Sequence, residues 1–140
     1  MLTSMIAGAG LAQVYFDAPC VSIRWERQCV VVEWKALASS DEFRAAQVMS
    51  IRACEENHAS RILVDARNMK LGLVDDERWR SEDMLPLLAL TGVRWIAIVT
   101  AADRLAGDIA RPRQGAPVET RYFGTLDEAR QWLSVMEVAR

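Results

Sequence analysis

Apolar and polar positions alternate along two early stretches of the chain. Val21, Ile23 and Trp25 fall on one side of residues 20–25, with Ser22 and Arg24 on the other. After the polar Glu26-Arg27-Gln28, residues 29–35 alternate less cleanly through Val30, Val31, Val32 and Trp34. A period of two on both sides of a short polar turn predicts an antiparallel hairpin. Residues 13–16, ended by Pro19, predict a shorter strand before it. Later runs are unbroken instead: Ile62-Leu63-Val64 between two charges, and Ile96-Ala97-Ile98-Val99 within residues 93–100. An unbroken run suits a strand covered on both faces, since a half-buried strand would alternate. Residues 118–123 return to alternation and predict one more strand.

The segments between these strands carry helical spacing. Ser39 and Glu42 form a capping box, followed by Phe43, Ala46, Met49 and Ala53 on one face and an end near Asn57 and His58. Thr125 and Glu128 repeat the box ahead of Leu126, Ala129, Leu133 and Met136. Between them, Asp75 or Asp76 can cap a helix that is polar around Trp79 over residues 76–83 and almost wholly apolar over residues 84–90. Pro86 removes a donor and disfavours helical geometry at Leu85, which predicts a break or a restart near Asp83. Gly92 is free to take the left-handed cap that ends this helix. Residues 103–110 predict a weak helix, loosened by Gly107 and terminated by Pro112. Strands first, then alternating helices and strands, make an α/β sandwich on a mixed sheet.

The chain of 140 residues is expected to form one domain over residues 13–140 behind a loosely ordered leader, residues 1–12. That leader lacks the basic start of a signal peptide, and no apolar run approaches the ~20 residues a spanning helix needs. A net charge of −2 offers no field to draw in nucleic acid. Cys20, Cys29 and Cys54 form no CxxC and meet no histidine at ligand spacing, so reduced, buried thiols in a cytoplasmic protein are expected. No metal or cofactor is expected. Gly8-Ala9-Gly10 has neither a preceding strand nor a third glycine, so it is no dinucleotide loop.

Candidate chemistry gathers at one place. Asp65, Arg67 and Asn68 follow the central strand, where open α/β sheets bind ligands. The plain alternative is local turn chemistry, with Asp65 paired to Arg67. The helix that follows carries Trp79 among polar neighbours and Met84-Leu85-Pro86-Leu87-Leu88-Ala89-Leu90, more apolar surface than one buried stripe needs. His58, the single histidine, sits at a helix end, where capping explains it.

Several of these stretches resemble one bacterial family. Glu33-Trp34-Lys35, Leu63-Val64-Asp65-Ala66-Arg67-Asn68, Trp79 with Leu85-Pro86, Trp95-Ile96-Ala97-Ile98-Val99, and Tyr122-Phe123 before Glu128-Ala129 and Trp132-Leu133 look like the SpoIIAA-like (STAS/SEC14 domain-containing) proteins. The resemblance implies an α/β fold with a STAS-like mixed sheet, N-terminal antiparallel strands and helices packed mainly on one face. It also implies distant kinship with anti-sigma-factor antagonists and with lipid-carrying SEC14 domains. The antagonists are switched by phosphorylation of a Ser or Thr after the central strand. Here residues 61–80 contain neither, so that switch is expected to be lost.

The expected function is a non-catalytic binding module for a small lipophilic or amphipathic ligand or a membrane surface. Asp65, Arg67 and Asn68 would hold a polar head, and Trp79, Met84, Leu87 and Leu88 would supply apolar contact. The alternative is a regulatory module whose apolar helix forms a homodimer or partner interface. An enzyme has least support, because no nucleophile and base can be paired.

Overall fold

A computed structural model describes residues 12–69, 79–110 and 118–139. The expected leader lies, apart from Ala12, outside the described residues, as do the candidate caps Asp75 and Asp76. Among the described residues six strands form one sheet in sequence order: β1 (Gln13–Asp17), β2 (Val21–Glu26), β3 (Cys29–Trp34), β4 (Arg61–Asp65), β5 (Trp95–Val99) and β6 (Glu119–Phe123). The first three are antiparallel, and β3 to β6 are parallel. This is the mixed sheet expected from the alternating and unbroken runs.

The hairpin between β2 and β3 turns through Arg27 and Gln28, with Glu26 paired to Cys29. Both turn residues take positive φ, 53° and 64°. A two-residue loop needs this twist to match its strands, though glycine or asparagine usually supplies it. Gln28 is held there by its carbonyl, which accepts a hydrogen bond from Arg61 Nη2 at 3.2 Å.

Parallel pairing requires crossovers, and helices α1 (Ser40–Asn57), α2 (Leu85–Thr91) and α3 (Ala102–Ala110) lie within them; α4 (Leu126–Ala139) follows β6. The capping box at α1 closes in both directions: Glu42 N–H donates to Ser39 Oγ at 3.1 Å, and Ser39 N–H donates to Glu42 Oε1 at 2.8 Å. At α4 the Glu128 amide donates to Thr125 Oγ1, and its carboxylate accepts from the Thr125 hydroxyl. α1 ends at His58, which is exposed and adopts the left-handed conformation at φ 52°.

Of the two expected outcomes at Pro86, a break is absent and the helix restarts in a new form. Leu85 is helical, at φ −60° and ψ −41°, and the chain runs directly from a π-helical turn, Arg80–Met84, into α2. The Leu85 amide reaches back five residues to the Arg80 carbonyl. The wider turn accommodates the ring and the missing donor without leaving helical geometry. Gly92 then closes α2 at φ 107°.

Two apolar layers flank the sheet. The larger joins Val30, Val32, Ile62 and Ile96 to Phe43, Ala46 and Ala53 of α1 and Leu88 of α2. The smaller joins Val31, Leu63, Ala97 and Val99 to Ala129, Trp132 and Leu133 of α4. All three cysteines are buried and reduced, as expected of small core side chains. Burial, with the Glu55 charge beside it, pushes the Cys54 thiol up to about 12.

Relief of the strained turn is measurable. Gln28→Gly keeps the carbonyl that Arg61 uses and removes the side-chain penalty of left-handed backbone. It is expected to raise unfolding free energy by about 0.5–1 kcal/mol in urea denaturation.

Candidate functional site

Alternation along β4 sends consecutive side chains to opposite sides of the sheet. Ile62 and Val64, with Ala66 just beyond the strand, face α1 and α2, whereas Leu63 faces α4. Asp65 shares the parity of Leu63.

On the first side the sheet, α1 and the 80–91 helix line a partly open cavity of about 130 Å³. Its sheet wall is apolar: Val32, Ile62, Val64, Ile96 and Ile98. Trp34 and Phe43, stacked with centroids 5.6 Å apart, form one end, and Leu88 closes it from α2. Polar groups line it too: Gln47 and Ser50 on α1, Thr100 after β5, Tyr122 on β6, Arg80 on the π-helical turn and Arg104 on α3. The Ser50 hydroxyl donates to its own helix at Ala46 O, and Arg104 Nη2 donates to Ala66 O at 2.9 Å. The cavity thus combines an apolar body and a few polar groups at the strand carboxyl ends, the position where open α/β sheets bind ligands.

Of the seven residues singled out by sequence, the structure brings Leu88 alone to this cavity's lining. Asp65 is 7% exposed, and Arg67 folds back on it: Nε to Oδ1 at 2.9 Å, Nη2 to Oδ2 at 2.8 Å, with the Arg67 amide on Oδ1 at 3.2 Å. Asn68 is exposed next to this pair. Trp79 is partly buried, with the Arg44 guanidinium 4.9 Å from its ring centroid, so it ties the 80–91 helix to α1. Met84 is buried, and Leu87 is exposed.

Glu33 and Asp65 lie in register on β3 and β4, a like-charge pair on adjacent strands. Two guanidinium groups offset it: Arg24 Nη1 lies 3.1 Å from Glu33 Oε1, and Arg67 holds Asp65. Burial alone would raise the Asp65 carboxyl, but the Arg67 side chain, its amide and the Arg24 charge together hold it below the ordinary aspartate value.

The comparisons agree with this architecture. The SpoIIAA-like family model matches residues 29–134, three quarters of the chain. The chain belongs to the SpoIIAA-like family. Such domains are in general not enzymes. A crystal structure of an uncharacterized DUF3478-family protein from Shewanella loihica PV-4, described as having a SpoIIAA-like fold, superposes with a TM-score of 0.54 at 13% identity. The match covers 90% of this chain and 98% of that one, and identity this low establishes the fold alone. A search of curated proteins returns no match. Among the described residues of this SpoIIAA-like chain, no helix is long and apolar enough to cross a membrane, and no group of three or more His, Cys, Asp or Glu is placed to hold a metal ion.

The polar cavity residues that sequence reading missed are scattered over four elements and the loop after β5. Only Thr100, directly after an apolar strand, carried a positional signal, because strand carboxyl ends are where such sheets bind.

The Asp65–Arg67 pair generates a pH prediction. A depressed native pKa means that the stabilisation is complete above the unfolded carboxylate range and is lost as pH falls through the native value. Asp65→Asn is expected to cost about 1–2 kcal/mol at pH 7, reduced from a fully buried pair because Arg67 is exposed. The deficit relative to wild type should shrink as pH falls below 4 in parallel denaturant titrations.

Proposed function

We infer that this SpoIIAA-like domain is a non-catalytic binding module for a small amphipathic ligand. The observation that carries this reading is the cavity between the sheet, α1 and α2, apolar along its walls and polar at the strand ends. At about 130 Å³ it is close to the size of an engineered protein cavity that takes a single benzene ring. A recess of that size between packed elements suits a small molecule better than a flat membrane surface. The reactive groups nearby support binding over catalysis. Asp65 is engaged by Arg67 on the other side of the sheet, and the Cys54 thiol, at about 12, stays protonated at neutral pH.

Fluorobenzene, followed by ¹⁹F NMR, tests the cavity with a neutral probe. Wild type should bind it saturably. Leu88→Trp, and independently Val64→Phe, should weaken binding at least tenfold by filling the space, with each variant's fold checked by circular dichroism. A wild-type protein that leaves the fluorine signal unchanged at millimolar probe would sink the reading.

A second reading, a homodimer, rests on Leu90 and Leu87, which are 83% and 47% exposed and three residues apart on α2. Light scattering at micromolar protein would show a dimer, and Leu90→Glu should return it to the monomer. A monomeric wild type removes this reading.

A further inference from the structure

The cavity's ionised lining is one-sided. Among the described residues that line it are two arginines, Arg80 and Arg104, and no aspartate or glutamate. Arg104 comes from α3, beyond the carboxyl end of β5, and is partly buried. Among the described residues its guanidinium makes one hydrogen bond, from Nη2 to Ala66 O at 2.9 Å. That bond fixes the side chain across the strand ends and spends one of five donors. The rest remain to meet a planar anion in the paired geometry that guanidinium and carboxylate share. Behind Arg104 the walls are apolar and include the stacked Trp34–Phe43 pair.

We propose, building on the binding-module reading, that the ligand is an organic carboxylate with a compact apolar body, such as a single aromatic ring. The ring lies between Leu88 and the sheet wall, and the carboxylate meets Arg104, with Arg80 adding to the positive field. A ring without the anion leaves the remaining donors of Arg104 without a ligand acceptor. An anion without the ring leaves the apolar walls empty. The two halves of the cavity therefore select for both features in one molecule.

A matched pair of probes, 4-fluorophenylacetate and 4-fluorophenylacetamide, isolates the charge at nearly constant shape. Titrated by ¹⁹F NMR at pH 7 and low salt, the acid should bind at least tenfold more tightly than the amide. Added salt should weaken the acid more than the amide. In Arg104→Gln the acid-to-amide ratio should fall to within about threefold. Equal affinity of acid and amide for wild type, with fluorobenzene still bound, overturns the carboxylate inference and leaves the binding module standing. Failure of fluorobenzene and of both matched probes overturns the module reading itself. The wild-type ratio needs no variant, so it decides the matter even if Arg104→Gln does not fold.

Discussion

The period of two along β4 is the constraint on which the rest of the structure depends. Ile62 and Val64 must be buried under α1 and α2, and Leu63 under α4, so the register of this strand cannot slip without exposing one layer and crowding the other. The same parity decides where function can sit. It aims Val64 and Ala66 at the cavity and Asp65 away from it, although these residues are consecutive in the chain. A cavity and a charged pair can therefore occupy the same strand end with the sheet between them.

The two sides differ in how they treat polarity. On the Asp65 side, opposed charges satisfy one another: Arg24 bonds to Glu33 and Glu26, and Arg67 bonds to Asp65. Those contacts fix the start of the loop after β4 and the pairing of β2 with β3, and they leave the carboxylates committed. On the cavity side the polar groups come from separate elements and surround unfilled space. Ser50 and Arg104 turn part of their hydrogen-bonding capacity toward the chain's own carbonyls, which orders them without a ligand. A preordered guanidinium lowers the entropic cost of binding.

Much of the fold was legible in the sequence. The two unbroken runs at β4 and β5, the hairpin alternation and both Ser/Thr-x-x-Glu boxes are local signals, and each appears where the pattern placed it. The order of these elements extended this to the mixed sheet. The site was less legible for two reasons. Asp65 and Arg67 look like ligand-binding groups by position, but their side of the sheet depends on which layer buries Leu63, and the unbroken Ile62-Leu63-Val64 run does not say so. Gln47, Arg80, Arg104 and Tyr122 meet only through the tertiary fold, at sequence separations no local pattern spans. Leu88 was found because it belongs to the apolar excess of α2.

Pro86 shows how local chemistry reaches the site without forming part of its lining. A proline inside a helix removes one amide and pushes its ring against the preceding turn. Here the turn before it widens to a π-helix instead of breaking, and the helix continues through Leu85 into α2. The continuity matters because Arg80 and Leu88 are fixed on opposite sides of the proline, and both line the cavity. A true break would let them move independently. The Arg44 guanidinium over Trp79 restrains the start of the same helix against α1. The widened turn and the cation–π contact together make the cavity's roof a single element anchored at one end to α1, so the spacing between a charged and an apolar contact is set by the backbone.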